Sequence, residues 1–239
     1  MHGFSAEPPA DEVLDNPART ALSGPHHHFA ETAGRASRYQ PDVAPFAAVA
    51  DPDRPAWADL AALLGPGGTA VLIGTPPPPP GWTTVGRIDG VQMVDVAMDA
   101  GADPEAVPLT AADVPEMLDL VERTKPGPFR PRTVELGGYL GIRRGGALVA
   151  MAGERLRPPG WAEISAVCTA PEARGQGLAG RLVRAVAAGI RARGERPCLH
   201  AAADNTNALR LYEALGFKLR RRTDFRLVRF DEPPPPPEC

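Results

Sequence analysis

Seven consecutive residues, Arg174-Gly175-Gln176-Gly177-Leu178-Ala179-Gly180, join three glycines to the opening of an apolar-periodic segment. Upstream, residues 163–169 read as a β-type run that Pro171 stops. A turn of this kind presents several backbone N–H groups at a helix N-terminus, where the helix dipole also favours negative charge. Gly175 and Gly177 remove side chains that would hold a phosphate away from those donors. The chemistry on offer is anion binding, and a pyrophosphate suits it.

Three kinds of glycine-rich loop compete for this stretch. A P-loop needs Lys-Ser or Lys-Thr after its last glycine, but Gly177 is followed by Leu178. A dinucleotide fingerprint, G-x-G-x-x-G, fits residues 175–180 literally. That fingerprint belongs near the start of a βαβ unit, with an acidic residue about 20 positions on. Here Glu195 lies 15 residues beyond Gly180, and no strongly apolar parallel-strand run precedes the loop.

The third loop fits better. Residues Arg174 to Ala179 resemble the Gln/Arg-x-x-Gly-x-Gly/Ala loop of the GNAT superfamily of acyl-CoA-dependent N-acyltransferases. About thirty residues on, Asn205-Thr206-Asn207-Ala208-Leu209-Arg210-Leu211-Tyr212-Glu213-Ala214-Leu215-Gly216-Phe217 is similar to that superfamily's second signature, N-x-x-A-x-x-L-Y-x-x-L-G-F. The resemblance covers roughly residues 107–230 and leaves the first hundred without a comparable match.

The resemblance implies acetyl transfer from acetyl-CoA to a primary amine of a small molecule or peptide, by direct attack and with no metal. It implies that backbone groups of Val167, Cys168 and Thr169 hold the thioester and pantetheine arm. Arg174, Gly175, Gln176, Gly177, Leu178, Ala179 and Gly180 would surround the pyrophosphate. Asn205, with Asn207 as helper, would hold the pantetheine, although an Asx turn capping a helix explains Asn205 as well. Tyr212 falls where relatives place the tyrosine that protonates the departing thiolate. It also lies on an Ala208-Leu211-Tyr212-Leu215 stripe, so core packing is the alternative. The competing functional class is a CoA-binding regulatory module without turnover.

Amine acylation needs a neutral amine, and two carboxylates are candidates for the base. Glu163 lies eleven residues before Arg174, an offset at which some relatives carry a catalytic glutamate. If Leu156 and Trp161 flank a four-residue loop, antiparallel counting sets Glu154 directly opposite Glu163. Paired carboxylates raise the pKa of one member, which suits a base near neutral pH. Exposed polar sheet positions are the alternative for both. His200, in an alternating strand, reads as a satisfied interior histidine, and Cys168 as core filling. By the topology of the resemblance, residues 132–139 lie near the acceptor, with Arg132 or Tyr139 as contacts.

The chain has 239 residues, enough for one large domain or two small ones. Apolar residues make up 43%, sufficient for a core, and the net charge of −3 gives no electrostatic reason to expect nucleic acid. Three cysteines without metal spacing imply neither disulfides nor zinc, and a reducing cytoplasmic setting follows. No run approaches a membrane span and no secretory leader is evident. His26-His27-His28 has no second ligand cluster nearby in sequence. A monomer or homodimer is compatible with all of this.

The fold class expected is α/β: a GNAT-type central mixed sheet flanked by helices, with an additional N-terminal α/β segment. The division expected is 1–106 for that segment, which would be a degenerate acyltransferase-like half that shapes the pocket, then 107–231 catalytic and 232–239 a proline-rich tail. Residues 1–40 show weak periodicity. Beyond them the pattern predicts a helix over 56–64, a strand over 69–74, one or two strands over 85–96 and a Thr110-capped helix. Strands follow over 138–143, 147–156 and 161–169, then a helix over 177–193. A strand over 198–202, a helix over 206–215 and a strand over 225–230 complete it. Prolines 76–80 read as a stiff loop and 233–237 as a solvated tail, with polyproline II ligands as the alternative.

Overall fold

The computed structural model describes residues 11–231. The proline run 233–237 lies outside them. In chain order the elements are α1 (Pro17–Leu22), β1 (Ala30–Ala33), β2 (Ala36–Tyr39), β3 (Ala47–Val49), α2 (Arg54–Leu64), β4 (Thr69–Ile73), β5 (Trp82–Asp95) and β6 (Val107–Leu109). After them come α3 (Val114–Thr124), β7 (Tyr139–Arg144), β8 (Ala147–Glu154), β9 (Trp161–Thr169), α4 (Leu178–Ala192), β10 (Arg196–Ala202), α5 (Thr206–Ala214) and β11 (Phe217–Phe230).

Eight strands form one sheet in the order β4-β11-β5-β10-β9-β8-β7-β6. Only the β10–β9 pair at its centre is parallel; the others run antiparallel. This is the mixed α/β class expected. Strands β4 and β5, from the N-terminal segment, are members of the same sheet as the C-terminal strands. A separate three-stranded sheet, β1-β2-β3, touches it through the Phe46–Val71 bridge.

Local chemistry fixes the helices that matter. On α4, Leu178, Leu182, Val186 and Ile190 are buried along one stripe and pack the sheet's first face. Thr110 and Asp113 form a capping box at the start of the segment leading into α3. Left-handed Lys125 then ends α3. Asp53 caps α2 by accepting from the Ala56 N–H at 2.9 Å. The opposite face of the sheet is covered by the N-terminal layer, where Phe29, Tyr39, Phe46 and Leu136 form a second core with Leu156.

Some expectations need correcting. The last strand starts at Phe217 rather than 225, because the arginine-rich run 218–222 pairs with β5 while its side chains reach polar partners. Arg220 and Arg221, for example, both bind Asp15. Residues 11–40, weakly patterned in sequence, carry α1 and the β1–β2 hairpin. His26 is interior: it bonds Tyr39 Oη at 2.9 Å and the Leu136 carbonyl at 3.1 Å, and burial pushes its pKa down to about 4.

Candidate active site

The site begins where the parallel β9–β10 pair comes apart. Strands β9 and β10 stay in register from Trp161↔Arg196 to Ile164↔Leu199. Beyond Ile164 the pairing stops, although β9 runs on to Thr169 and β10 to Ala202. On its other edge β9 stays paired to β8, with a bulge between Met151↔Cys168 and Gly153↔Ser165. Ala166 sits in that bulge at φ +52°, a left-handed conformation that costs an alanine roughly 1–2 kcal/mol. Strain of this kind persists where the surrounding structure holds it, and such places gather at functional sites. The split leaves a strand edge inside the sheet, a template for an extended ligand.

At the end of β9 the glycine loop closes one end of the split. Gly175 and Gly177 adopt φ of +79° and +71°, and a side-chain carbon at either would meet nothing within 4 Å. Their backbone needs glycine while their surroundings stay open. Among the described residues, none of the N–H groups of 175–180 bonds within the chain; the first intrahelical bond of α4 is donated by Arg181 to Gly177. Gly180 differs from the other two. A side-chain carbon there would meet Leu211 and Leu215 of the α5 segment at 3.5 and 3.8 Å, so Gly180 faces α5 rather than open space.

Helix α5 supplies the opposite wall. Asn205 caps it by accepting from the Ala208 N–H at 3.2 Å through Oδ1, and it also lines the cavity with Asn207. Tyr212 lines the same cavity, its ring edge-on to Phe217. Burial pushes its pKa up to about 12, so the phenol keeps its proton at neutral pH.

The cavity has a volume of about 750 Å³ and passes from Arg174 and Ala179, through the strand split, to the face under the N-terminal layer. There its walls are Phe46, Val71, Phe225 and Leu227, and Arg155. Its rim includes the loop 124–128 after α3.

Arg155 is held by Glu163. The guanidinium donates through Nε and Nη2 to both carboxylate oxygens, at 3.1 and 2.6 Å. His200 Nδ1 lies 2.8 Å from the same carboxylate, and the Leu156 N–H donates to it at 3.2 Å. Burial would raise the Glu163 pKa, but Arg155 and then His200 hold it well below the usual carboxylate range. With that carboxylate accepting at Nδ1, His200 Nε2 accepts from Gln92 Nε2 at 3.0 Å. The Gln92 amide is itself oriented by the Leu14 carbonyl and Arg220. Neither His200 nitrogen is left for proton transfer.

Comparison with known proteins agrees with this architecture. A family model described as FR47-like protein matches residues 139–226. A crystal structure described as a GNAT-family acetyltransferase from Novosphingobium aromaticivorans is 43% identical, covering 92% of this chain and 99% of that one, with a TM-score of 0.84. The chain belongs to the GNAT family of acetyltransferases. A GCN5-related N-acetyltransferase from Kribbella flavida, at 20% identity, covers 91% of this chain and 96% of that one with a TM-score of 0.57, and shares the fold. A search of curated proteins gives no match.

Within this acetyltransferase the sequence-derived positions separate cleanly. Val167, Cys168, Thr169, Arg174, Ala179, Asn205, Asn207 and Tyr212 all line one cavity. Gly175, Gln176 and Gly177 are exposed at its end, whereas Leu178 is a core residue of α4. Cys168 is buried, and burial pushes its thiol up. The expected carboxylate pair does not form. Glu154 pairs in register with Ile164, not Glu163, so the two carboxylates point to opposite faces of the sheet. Glu154 bonds Arg193 and the Gly138 N–H and is not part of the cavity lining. Glu163 does not line the cavity either, and its oxygens are committed to Arg155, His200 and Leu156. Arg132 and Tyr139 are likewise elsewhere. Arg132 binds Glu135, Asp42 and Gln40, and Tyr139 is buried against Phe129. Arg155, Phe46, Val71, Phe225, Leu227 and residues 124–128 are among the cavity residues that motif spacing did not single out. The only trace of Arg155 was a basic residue eight positions before Glu163 across a hairpin.

No helix among the described residues is long and apolar enough to cross a membrane.

Proposed function

We propose that this protein transfers an acetyl group from acetyl-CoA to a primary amine by direct attack. The observation that carries the reading is the strand split, with unbonded N–H groups of 175–180 at one end and the protonated Tyr212 on its wall. The loop N–H groups and Arg174 suit the pyrophosphate. The free edge of β9 at Val167 to Thr169 suits the amides of the pantetheine arm, and its N–H groups can polarise the thioester carbonyl. The amine nitrogen forms a bond to the carbonyl carbon, and collapse of the adduct breaks the carbon–sulfur bond. Tyr212 gives its proton to the departing sulfur and recovers one from the acylated nitrogen through solvent.

Glu163 serves a positioning role in this reading, its oxygens being committed to Arg155, His200 and the Leu156 N–H. The described residues lining the cavity include no Asp or Glu, while Arg87, Lys125, Arg155 and Arg174 are among them. With no carboxylate on the described lining to take its proton, the acceptor gives that proton to solvent and reaches the thioester neutral. The acidic limb of kcat/KM then follows the acceptor's own pKa when the acceptor is changed.

The test is thiol release from acetyl-CoA over a panel of amines. Tyr212→Phe is expected to lower kcat by about 10- to 10⁴-fold with little change in acetyl-CoA affinity. Silence on every amine together with tight CoA binding would favour a regulatory module. An unchanged kcat with lowered thermal stability would return Tyr212 to the core.

A further inference from the structure

The acceptor side of the cavity differs in kind from the side assigned to acetyl-CoA. It is mainly aromatic and aliphatic surface, Phe46, Val71, Phe225 and Leu227, with His200 edge-on to Phe225, around a deeply buried cation, Arg155. Arg155 is 7% exposed and belongs to the lining. Its bonds to Glu163 use Nε and Nη2, leaving Nη1 outside that pair, and its guanidinium stacks on the Phe46 ring at 4.8 Å from the centroid. Glu163 is in turn fixed by His200 and the Leu156 N–H. The guanidinium is therefore held in one orientation from behind, a preorganised donor on a mainly apolar wall.

An amine bearing further positive charge, such as a polyamine, would meet no carboxylate among the described lining residues. Its second ammonium would be desolvated beside Arg155, a costly arrangement. An amine that carries its own carboxylate meets the opposite situation: Nη1 can donate to that carboxylate. Apolar surface on either side remains for a hydrocarbon substituent. A peptide N-terminus has an amide at that position and lacks the negative charge.

We propose that the acceptor is an α-amino acid with an apolar side chain, its carboxylate received by Arg155 and its side chain by the Phe46, Val71 and Phe225 surface. This rests on the acetyltransferase reading above. Arg155 is thus a specificity-determining residue, and Glu163 with His200 its positioning partners.

The experiment compares acetylation of L-phenylalanine and L-leucine with that of their amides and of the matching decarboxylated amines, phenethylamine and isopentylamine. Acetyl-CoA binding is followed separately by calorimetry. One charge-assisted bond to a carboxylate predicts kcat/KM about 10- to 100-fold higher for each amino acid than for its amide. The double variant Arg155→Gln/Glu163→Gln replaces the ion pair by a neutral pair, leaving no lone buried charge. In it the ratio should fall to near one, with acetyl-CoA affinity retained. Equal or better use of the amides or amines by the wild type overturns the proposal while leaving acetyl transfer standing, and this arm does not depend on the variant's folding. So does a ratio that survives in a folded double variant, or acetylation of polyamines alone. Failure of the wild type to bind acetyl-CoA would instead remove the reading beneath it.

Discussion

The two ends of the cavity are built by different means. The end assigned to acetyl-CoA is made mainly of backbone: the free edge of β9, the loop 174–180 and the first turn of α4, contiguous in sequence. The end assigned to the acceptor is made of side chains drawn from β4, β11, the β2–β3 connection and the β8–β9 connection, held by a buried ion pair. Backbone donors depend on local conformation, so a few glycines and caps specify them. A side-chain wall depends on tertiary register and on charges buried far from water. Damage to the first should cost binding, and damage to the second should cost folding.

The sharpest break of that comparison is Glu163→Gln. It leaves Arg155 buried without its counter-charge, and losing one partner of a buried pair destabilises by about 3–5 kcal/mol. Urea unfolding measures this directly; a loss below about 1 kcal/mol would mean that solvent reaches the pair and that the acceptor wall is not held as described. The pair also fixes a pH dependence. The folded-state pKa of Glu163 is depressed, so its contribution is complete above the ordinary glutamate value of 4.5 and is lost as pH falls below it. Wild type should lose stability on acidification through that range more steeply than Glu163→Gln does.

On the other side, Gly177→Val should leave the fold largely intact and reduce acetyl-CoA affinity by about 10²-fold. The loop has open space around Gly177, so the lost affinity would come from the ligand's path and from the φ of +71° that a branched residue resists. Calorimetry that finds unchanged affinity in the folded variant would place the pyrophosphate elsewhere.

The same division explains what could be read from the chain alone. The family's two signatures, at Arg174 to Gly180 and Asn205 to Phe217, were legible because each is written in consecutive residues. The hairpins of β7, β8 and β9 were legible from alternation and turn residues. The partner of Glu163 was not. A four-residue loop places Glu154 opposite it, but the bonds from the Arg155 N–H to the Glu163 carbonyl and from the Glu163 N–H to the Leu156 carbonyl show a shifted register. One residue of slip turns Glu154 to the α4 face and brings Arg155 to the cavity face. Phe46 and Val71 were hidden for another reason. Phe46 reaches the site because the N-terminal layer covers one face of the sheet, and Val71 because β4 pairs with β11; nothing in their local pattern records either.

The smallest predicted effect tests a residue that serves both kinds of construction. Asn205 uses Oδ1 to cap α5, which leaves its Nδ2 donors for a pantetheine carbonyl in the cavity it lines. Asp caps a helix about as well as Asn but cannot donate. Asn205→Asp should therefore keep thermal stability while raising KM for acetyl-CoA several-fold, since the donor is lost and a negative charge replaces it. Asn205→Ala should also raise KM and in addition lose about 1 kcal/mol of stability, because the Ala208 N–H loses its acceptor. The pair of variants separates the two duties in a way that neither does alone. If Asn205→Asp matches wild type in both measurements, the asparagine is only a cap, and the pantetheine is held by the β9 edge without it.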